Sequence, residues 1–317
     1  MTTIDQLWEG LIALRDRLKD SPVNVIACSY HAGQFKLYTE LHKLHLTESS
    51  AIILSKDVDD IALGSEWHVH KLPFDNCLMY VTDTLDPEVS KFLSLYWPLC
   101  LMDLFTQQVP FVLLHMACSI DGKVATIDGD SKWIGNDENL IHAHRLRALV
   151  DSIMVGAKTV LTDNPTLTVR LVKGNNPIRL ILSNHTEDFE SLTITPKAKT
   201  YLLRDKEYDN IANHSAFTKV LYYDGSDEAE KIVYLLDQLK DEGIKSILIE
   251  GGPQTASTFL RNKSIDIVQF HMAPLILGSG KSCINLNNNN SIGDGQSLTN
   301  HVWHSIGDTQ MITARPA

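Results

Sequence analysis

The stretch Ser246-Ile-Leu-Ile-Glu250-Gly251-Gly252-Pro253 reads as an apolar strand that ends in Glu-Gly-Gly and runs directly into a helix. Pro253 suits the first helical turn, where its missing N–H costs nothing. Glycine at such a junction lets a ligand approach the backbone, and a helix N-terminus offers unpaired N–H groups to an anion. Two readings stand. The segment is a phosphate or diphosphate cradle with Glu250 projecting into a crevice, or it is a tight strand–helix turn with a solvated Glu. The dinucleotide fingerprint G-x-G-x-x-G is missing, which disfavours an ordinary Rossmann domain.

Strands and helices alternate around this motif. Strands are expected at 111–117, 152–156, 178–182, 200–203, 219–223, 246–249 and 266–273. Helices are expected at 137–149, 228–240 and 253–261, and a last hairpin around Val302 and 311–313 closes the sheet. Such alternation argues for a largely parallel sheet covered on both faces. The Asn-rich run 285–290 reads as an exposed loop. Upstream, the periodicity gives helix over 4–19, strand over 23–27, helix over 35–44, strands over 51–54 and 77–81, and helix from Pro87. The boundary falls near 107–110, so the expectation is a small α/β domain over 1–108 and a larger domain over 109–317.

The chain has 317 residues and a net charge of −11. The first 108 residues hold 8 basic and 15 acidic side chains, leaving −7 there and −4 in the remainder. An acidic chain without a basic block is a poor match for nucleic acid or an anionic membrane. A small phosphorylated ligand needs only placed backbone N–H groups and one or two Arg, so it stays open. Five widely spaced cysteines without a C-x-x-C pair argue against a disulfide framework and a structural zinc site, and fit a reducing cytoplasm. Residues 1–9 lack the basic and apolar regions of a signal peptide. The longest apolar candidate for a membrane span, 93–104, is broken by Pro98 and Asp103.

Three further stretches carry polar chemistry. Ser119-Ile-Asp121-Gly122-Lys123 follows the first strand of the large domain and is a turn or a ligand loop. Ser131-Lys-Trp133-Ile134 lies in a polar loop where Trp133 can stack on a planar ring, and Asn136 can cap the next helix. Val155-Gly156 through Asp163-Asn-Pro165 closes a strand with small residues and a turn, and continues to Arg170. Arg147 and Arg170 are guanidinium forks suited to a phosphomonoester, or they are ordinary salt-bridge partners. Among the 13 histidines, His142 and His144 on one helix point about 200° apart and cannot share an ion. His68-x-His70 lacks a third ligand nearby, and no metal site is expected. No nucleophile elbow and no P-loop occur.

Taken in order, several segments resemble the reductase domain of riboflavin biosynthesis. They are Ala117-Cys-Ser-Ile-Asp-Gly-Lys123, Ser131-Lys-Trp-Ile134, His144-Arg-Leu-Arg147, Asp151–Gly156, Thr159–Pro165, Leu167–Arg170, Pro177–Leu182, Glu250–Pro253 and Ala273–Gly278. That domain has a dihydrofolate-reductase-like fold and in bacteria commonly follows a zinc deaminase. The resemblance implies NADPH-dependent reduction of 5-amino-6-(5-phosphoribosylamino)uracil, or a close ribosylamino-pyrimidine 5′-phosphate, by a cytoplasmic homodimer. By position, Ala117, Asp121, Trp133, Thr159, Asp163 and the turn Gly252, Pro253, Gln254, Thr255, Ala256, Ser257 and Thr258 would contact the dinucleotide. Asn184 would meet its adenosine end, and Arg204 is a candidate for the 2′-phosphate. Ser131, Arg147, Leu167, Arg170 and Glu250 would face the substrate, with the Arg pair on its phosphate. Glu250 is the first candidate for assisting proton delivery or for orienting the sugar. His115 is the second catalytic candidate. It stands where several family members carry Lys, and its imidazole is shorter than Lys and has a near-neutral pKa.

Residues 1–108 lack the His-x-Glu and paired cysteines of a zinc deaminase. An oligomerisation module or a cover over the substrate channel is the open reading for them. Two other functions stay in view: the same fold acting on another pyrimidine, pterin or specialised metabolite, and a non-catalytic nucleotide-binding regulator.

Overall fold

A computed structural model describes residues 3–18, 25–31, 34–38, 50–55, 67–71, 78–82, 86–100, 102, 109–132, 134–184, 199–208, 217–286 and 291–317. The chain divides into two compact units, Met1–Gln107 with Asn300–Val302, and Gln108–Thr299 with Trp303–Ala317.

The first unit comprises α1 (Thr3–Leu18), β1 (Val25–His31), β2 (Gln34–Tyr38), β3 (Ser50–Ser55), β4 (Trp67–Lys71), β5 (Leu78–Thr82) and α2 (Pro87–Cys100). Its strands form an antiparallel sheet in the order β2-β1-β3-β5-β4. α1 buries Leu7, Trp8 and Leu11 at helical spacing. Trp8 meets Tyr96 of α2 edge-on, with ring centroids 5.6 Å apart. Asp86 caps α2 by accepting from the N–H groups of Glu88 and Val89. The helix expected over 35–44 is corrected here, because Gln34–Tyr38 is a strand paired with β1. Its Gln-Phe-Lys-Leu-Tyr sequence alternates with period two, the strand signal. The rest of that span, 39–44, lies outside the described residues, as does Trp133.

The second unit comprises β6 (Phe111–Ser119), β7 (Lys123–Ala125), α3 (Asp137–Leu149), β8 (Ser152–Gly156), α4 (Ala157–Asp163), β9 (Ile178–Leu182), β10 (Thr200–Asp205), β11 (Lys219–Tyr223), α5 (Glu228–Asp241), β12 (Ser246–Ile249), α6 (Pro253–Arg261), β13 (Ile267–Ala273), β14 (Lys281–Ser282), β15 (Leu298–Ile306) and β16 (Thr309–Pro316). Nine strands form one sheet in the order β11-β10-β9-β8-β12-β6-β13-β16-β15. Pairing is parallel from β11 to β13, and β16 runs antiparallel to β13. The mixed, mostly parallel α/β fold read from the sequence is the observed one.

Near-continuous apolar runs mark strands covered on both faces. Leu180, Ile181, Ile247, Leu248 and Ile249 are all fully buried, and each contributes about 1.5–3 kcal/mol by leaving water. α3 starts on Asn136, whose side chain accepts from Asn139 N–H, and α5 starts on Asp227, which accepts from Glu230 N–H. No described helix is long and apolar enough to cross a membrane.

Candidate active site

Parallel strands deliver their carboxyl ends to one edge of the sheet, and there the loops open a cavity of about 1240 Å³. Its wall takes His115, Met116 and Ala117 from β6, Gly156 to Thr159 from the β8–α4 junction, and Glu250 to Thr255 from the β12–α6 junction. Farther along the same edge it takes Asn184 after β9, Asp205 at the end of β10 and Tyr223 at the end of β11.

The two junctions are packed closely. Gly251 and Gly252 both have positive φ, +112° and +70°. A Cβ on Gly252 would stand 3.2 Å from Thr159 Oγ1, and one on Gly156 would stand 2.8 Å from Thr255 Oγ1. Only glycine fits these positions without displacement. The N-terminal turn of α6 thereby lies bare beside the cavity, with Pro253 lacking an N–H and no side chain capping the end. The Glu-Gly-Gly-Pro segment is a tight strand–helix turn that sets an uncapped helix N-terminus against the cavity, where unpaired backbone N–H groups favour an anion.

Ile249 pairs with Leu114, and one step beyond this pair stand Glu250 and His115. Glu250 is gripped by Arg147 of α3, with Nε donating to Oε1 at 2.9 Å and Nη2 donating to Oε2 at 2.5 Å. Arg147 also donates to the carbonyl of Thr168 at 3.3 Å. The Arg147 guanidinium is thus committed to Glu250 and the loop, and the residue does not line the cavity.

His115 is buried, and its pKa is lowered to about 4 by that burial and by the nearby Arg147 charge. It faces the cavity as a neutral imidazole at physiological pH. Its ring packs edge-on against His142, centroids 5.1 Å apart, and against His271 at 6.3 Å. His142 bonds to Gln269 at 3.0 Å, Gln269 donates to Thr313 Oγ1 at 3.1 Å, and His271 bonds to Thr309. Burial pushes the His142 pKa well down and that of His271 to about 4. Asn139 touches this cluster from α3, and a Cβ on Gly135 would stand 2.2 Å from its Nδ2. Gly135 is the residue that admits Asn139. Among the described residues no group of His, Cys, Asp or Glu is arranged to hold a metal ion.

The loop 164–170 leans on α3. Asn164 and Leu167 both adopt positive φ, 41° and 48°, an uncommon conformation for a buried leucine. His144 Nδ1 accepts the Arg170 N–H at 3.0 Å, which fixes its tautomer, and burial lowers its pKa to about 4. The Arg170 side chain is exposed and reaches Thr166 Oγ1 at 3.2 Å.

Of the expected site residues, the cavity brings together His115, Ala117, Ser131, Thr159, Asp163, Asn184, Glu250, Gly252, Pro253, Gln254, Thr255 and Thr258. Burial pushes the Asp163 carboxyl pKa up. Leu167, Arg170, Ala256, Ser257 and Arg204 stand outside the wall. Asp121 is engaged elsewhere, accepting from Ser119 Oγ and from the N–H groups of Leu277 and Gly278, which ties down the loop after β13. Sequence reasoning missed Asn139, Lys158, Asp205, Tyr223 and Lys231 of the wall. Asp205 carried a signal, being an acid at the end of a strand in an α/β sheet.

A mostly parallel α/β sheet with a glycine-lined crevice at its carboxyl edge defines a ligand-binding domain of the α/β class. Residues 110–308 match the family described as the RibD C-terminal domain, and the chain belongs to that family. It is 35% identical over 181 residues to riboflavin biosynthesis protein RibD of Aquifex aeolicus, covering 56% of this chain and 50% of that protein. It is 32% identical over 180 residues to the 2,5-diamino-6-ribosylamino-4(3H)-pyrimidinone 5′-phosphate reductase of the same organism, covering 53% of this chain and 79% of that one. The alignment spans about half the length of the RibD relatives. Among solved structures, a Thermotoga maritima deaminase/5-amino-6-(5-phosphoribosylamino)uracil reductase shares the fold at TM-score 0.61 and 20% identity, covering 98% of this chain and 100% of that one. The riboflavin biosynthesis reductase of Saccharomyces cerevisiae shares it at TM-score 0.55 and 23% identity, covering 67% and 92%.

Proposed function

We propose that this chain is a reductase that takes hydride from a reduced nicotinamide dinucleotide and delivers it to C1′ of the open-chain imine form of a ribosylamino-pyrimidine 5′-phosphate, breaking the C=N π bond as a proton is taken up at nitrogen and giving the ribityl product. The observation that carries this is the single cavity wall that holds the bare α6 turn, Glu250 and His115 together. Family resemblance implies NADPH as the donor, an implication that the acidic far end of the cavity qualifies. Family resemblance also supports a cytoplasmic homodimer.

The cavity fits a dinucleotide. From β6 to β10 the sheet takes four inter-strand steps of about 4.8 Å, roughly 19 Å in all, the scale of an extended dinucleotide. Gly251, Gly252 and the α6 turn would hold the diphosphate, with Thr159 and Lys158 beside them. Ala117 and Thr255 would border the nicotinamide, and Asn184 and Tyr223 the adenosine end. The bound cofactor supplies the hydride, and the protein contributes alignment and electrostatics.

The substrate sugar would lie between that site and Glu250. Locked by Arg147, the Glu250 carboxylate accepts hydrogen bonds from the sugar and orients a solvent water that gives the proton at the reacting end. His115, neutral and buried, donates or accepts a hydrogen bond without adding charge to a closed site. Ser131 would contact the pyrimidine, and Leu167 holds the loop that presents Arg170. Arg170 is the better candidate for the substrate phosphate, since Arg147 is occupied by Glu250. Oxidation of the reduced dinucleotide, dependent on the ribosylamino-pyrimidine phosphate, tests the reading. Dinucleotide binding without turnover would instead make the chain a nucleotide-binding regulator.

A further inference from the structure

The adenosine end of the cavity is acidic. Asp205, Glu207, Asp227 and Glu228 all line it, and Lys231 is the cation that faces them among the described lining residues there. Asp205 is only 3% exposed and is fixed on both oxygens: Lys231 Nζ lies 2.6 Å from Oδ2, and the Glu207 N–H donates to Oδ1 at 3.1 Å. Its own N–H donates to Asn184 Oδ1, which also accepts from the Tyr223 hydroxyl at 3.2 Å. Lys231 is shared with Glu207 at 3.4 Å. The α5 N-terminus, a natural anion site, is filled by the Asp227 carboxylate, and Glu228 takes Arg261 and Asn262.

Arg204, the one guanidinium on this strand, does not line the cavity. Successive strand residues point to opposite faces, so it points away where Asp205 points in. Lys158 belongs to the β8–α4 junction, one residue before Thr159, whose Oγ1 lies close to Gly252, where the diphosphate charge would fall. A ribose 2′-phosphate placed against Asp205 would bring close to two more negative charges into an acidic wall. A free ribose diol would instead donate to the carboxylate, the pairing by which an acid at a strand end selects the unphosphorylated dinucleotide.

We infer that this chain takes NADH in preference to NADPH, and that Asp205, held by Lys231 and flanked by Glu207, is the residue that selects it. The inference rests on reading the cavity as a dinucleotide site. The test is a fluorescence titration of the full chain with NADH and with NADPH, in the absence of substrate, at low and at high salt. NADH is expected to bind about tenfold or more tightly than NADPH, with the gap narrowing as salt screens the wall. In Asp205→Ser and in the exposed Glu207→Lys, the ratio should move toward NADPH by about tenfold. The Glu207 variant carries the test if the buried one fails to fold. NADPH binding as tightly as NADH, or a ratio unmoved by Glu207→Lys, overturns the inference and leaves the reductase reading standing. Binding of neither form overturns both.

Discussion

Arg147 and Glu250 form a two-pronged ion pair across 103 residues of sequence, at 2.9 and 2.5 Å, with only 10% of each side chain exposed. The pair joins α3 to the end of β12 and sets which way the Glu250 carboxylate faces the cavity. Glu250→Gln keeps the size and loses the charge. It should lower kcat about a hundredfold with little change in dinucleotide affinity. Steady-state rates and a binding titration check this, and unchanged turnover would remove Glu250 from the chemistry.

Arg147→Ala strands a largely buried carboxylate. We expect it to destabilise the second unit by about 3 kcal/mol and to reduce turnover as Glu250→Gln does. Arg147→Lys should not restore either, because ammonium cannot reproduce the fork. Denaturant melts of the three proteins test the pair, and a fully active Lys variant would contradict its geometry.

Arg170→Ala should raise KM for the phosphorylated substrate by about tenfold or more, and leave KM for a dephosphorylated analogue nearly unchanged. Equal effects on both substrates would show that Arg170 holds the loop rather than the phosphate.

The buried imidazoles predict acid sensitivity. His115, His144 and His271 have pKa values of about 4 in the folded chain, below the usual 6.5, with burial the first cause in each. Between pH 6.5 and 4 the unfolded chain binds more protons than the folded one, so stability is lost as pH falls through that window. The melting temperature should drop by about 5 °C or more from pH 7 to pH 5. His115→Gln should make the drop smaller. A melting temperature flat over that range would contradict the burial of these rings.

Much of the second unit is legible in the sequence because it is written in long periodic segments. The apolar run 246–249 followed by Glu-Gly-Gly-Pro signals strand, cradle and helix at once, and β12 and α6 stand there. The short helix Ala157–Asp163 reads in sequence only as the close of a strand, since seven residues hold too little of a helical period. The strand Gln34–Tyr38 takes in the start of the span 35–44 that reads as helix, although Phe35 and Leu37 alternate with polar residues. The Arg147–Glu250 pair has no local signal, because its partners meet only when α3 packs beside β12. Likewise, nothing in the order Arg204-Asp205 tells which of the two faces the cavity until the strand's place in the sheet is known.

In the proposed reaction, hydride reaches the sugar carbon in this cavity. The direct measurement is turnover of the ribosylamino-pyrimidine phosphate with dinucleotide deuterated at the nicotinamide C4, followed by mass spectrometry of the product. One deuterium is expected at C1′ of a ribityl product, arriving about a hundredfold more slowly in Glu250→Gln. A chain that binds the dinucleotide tightly but transfers no deuterium would contradict it.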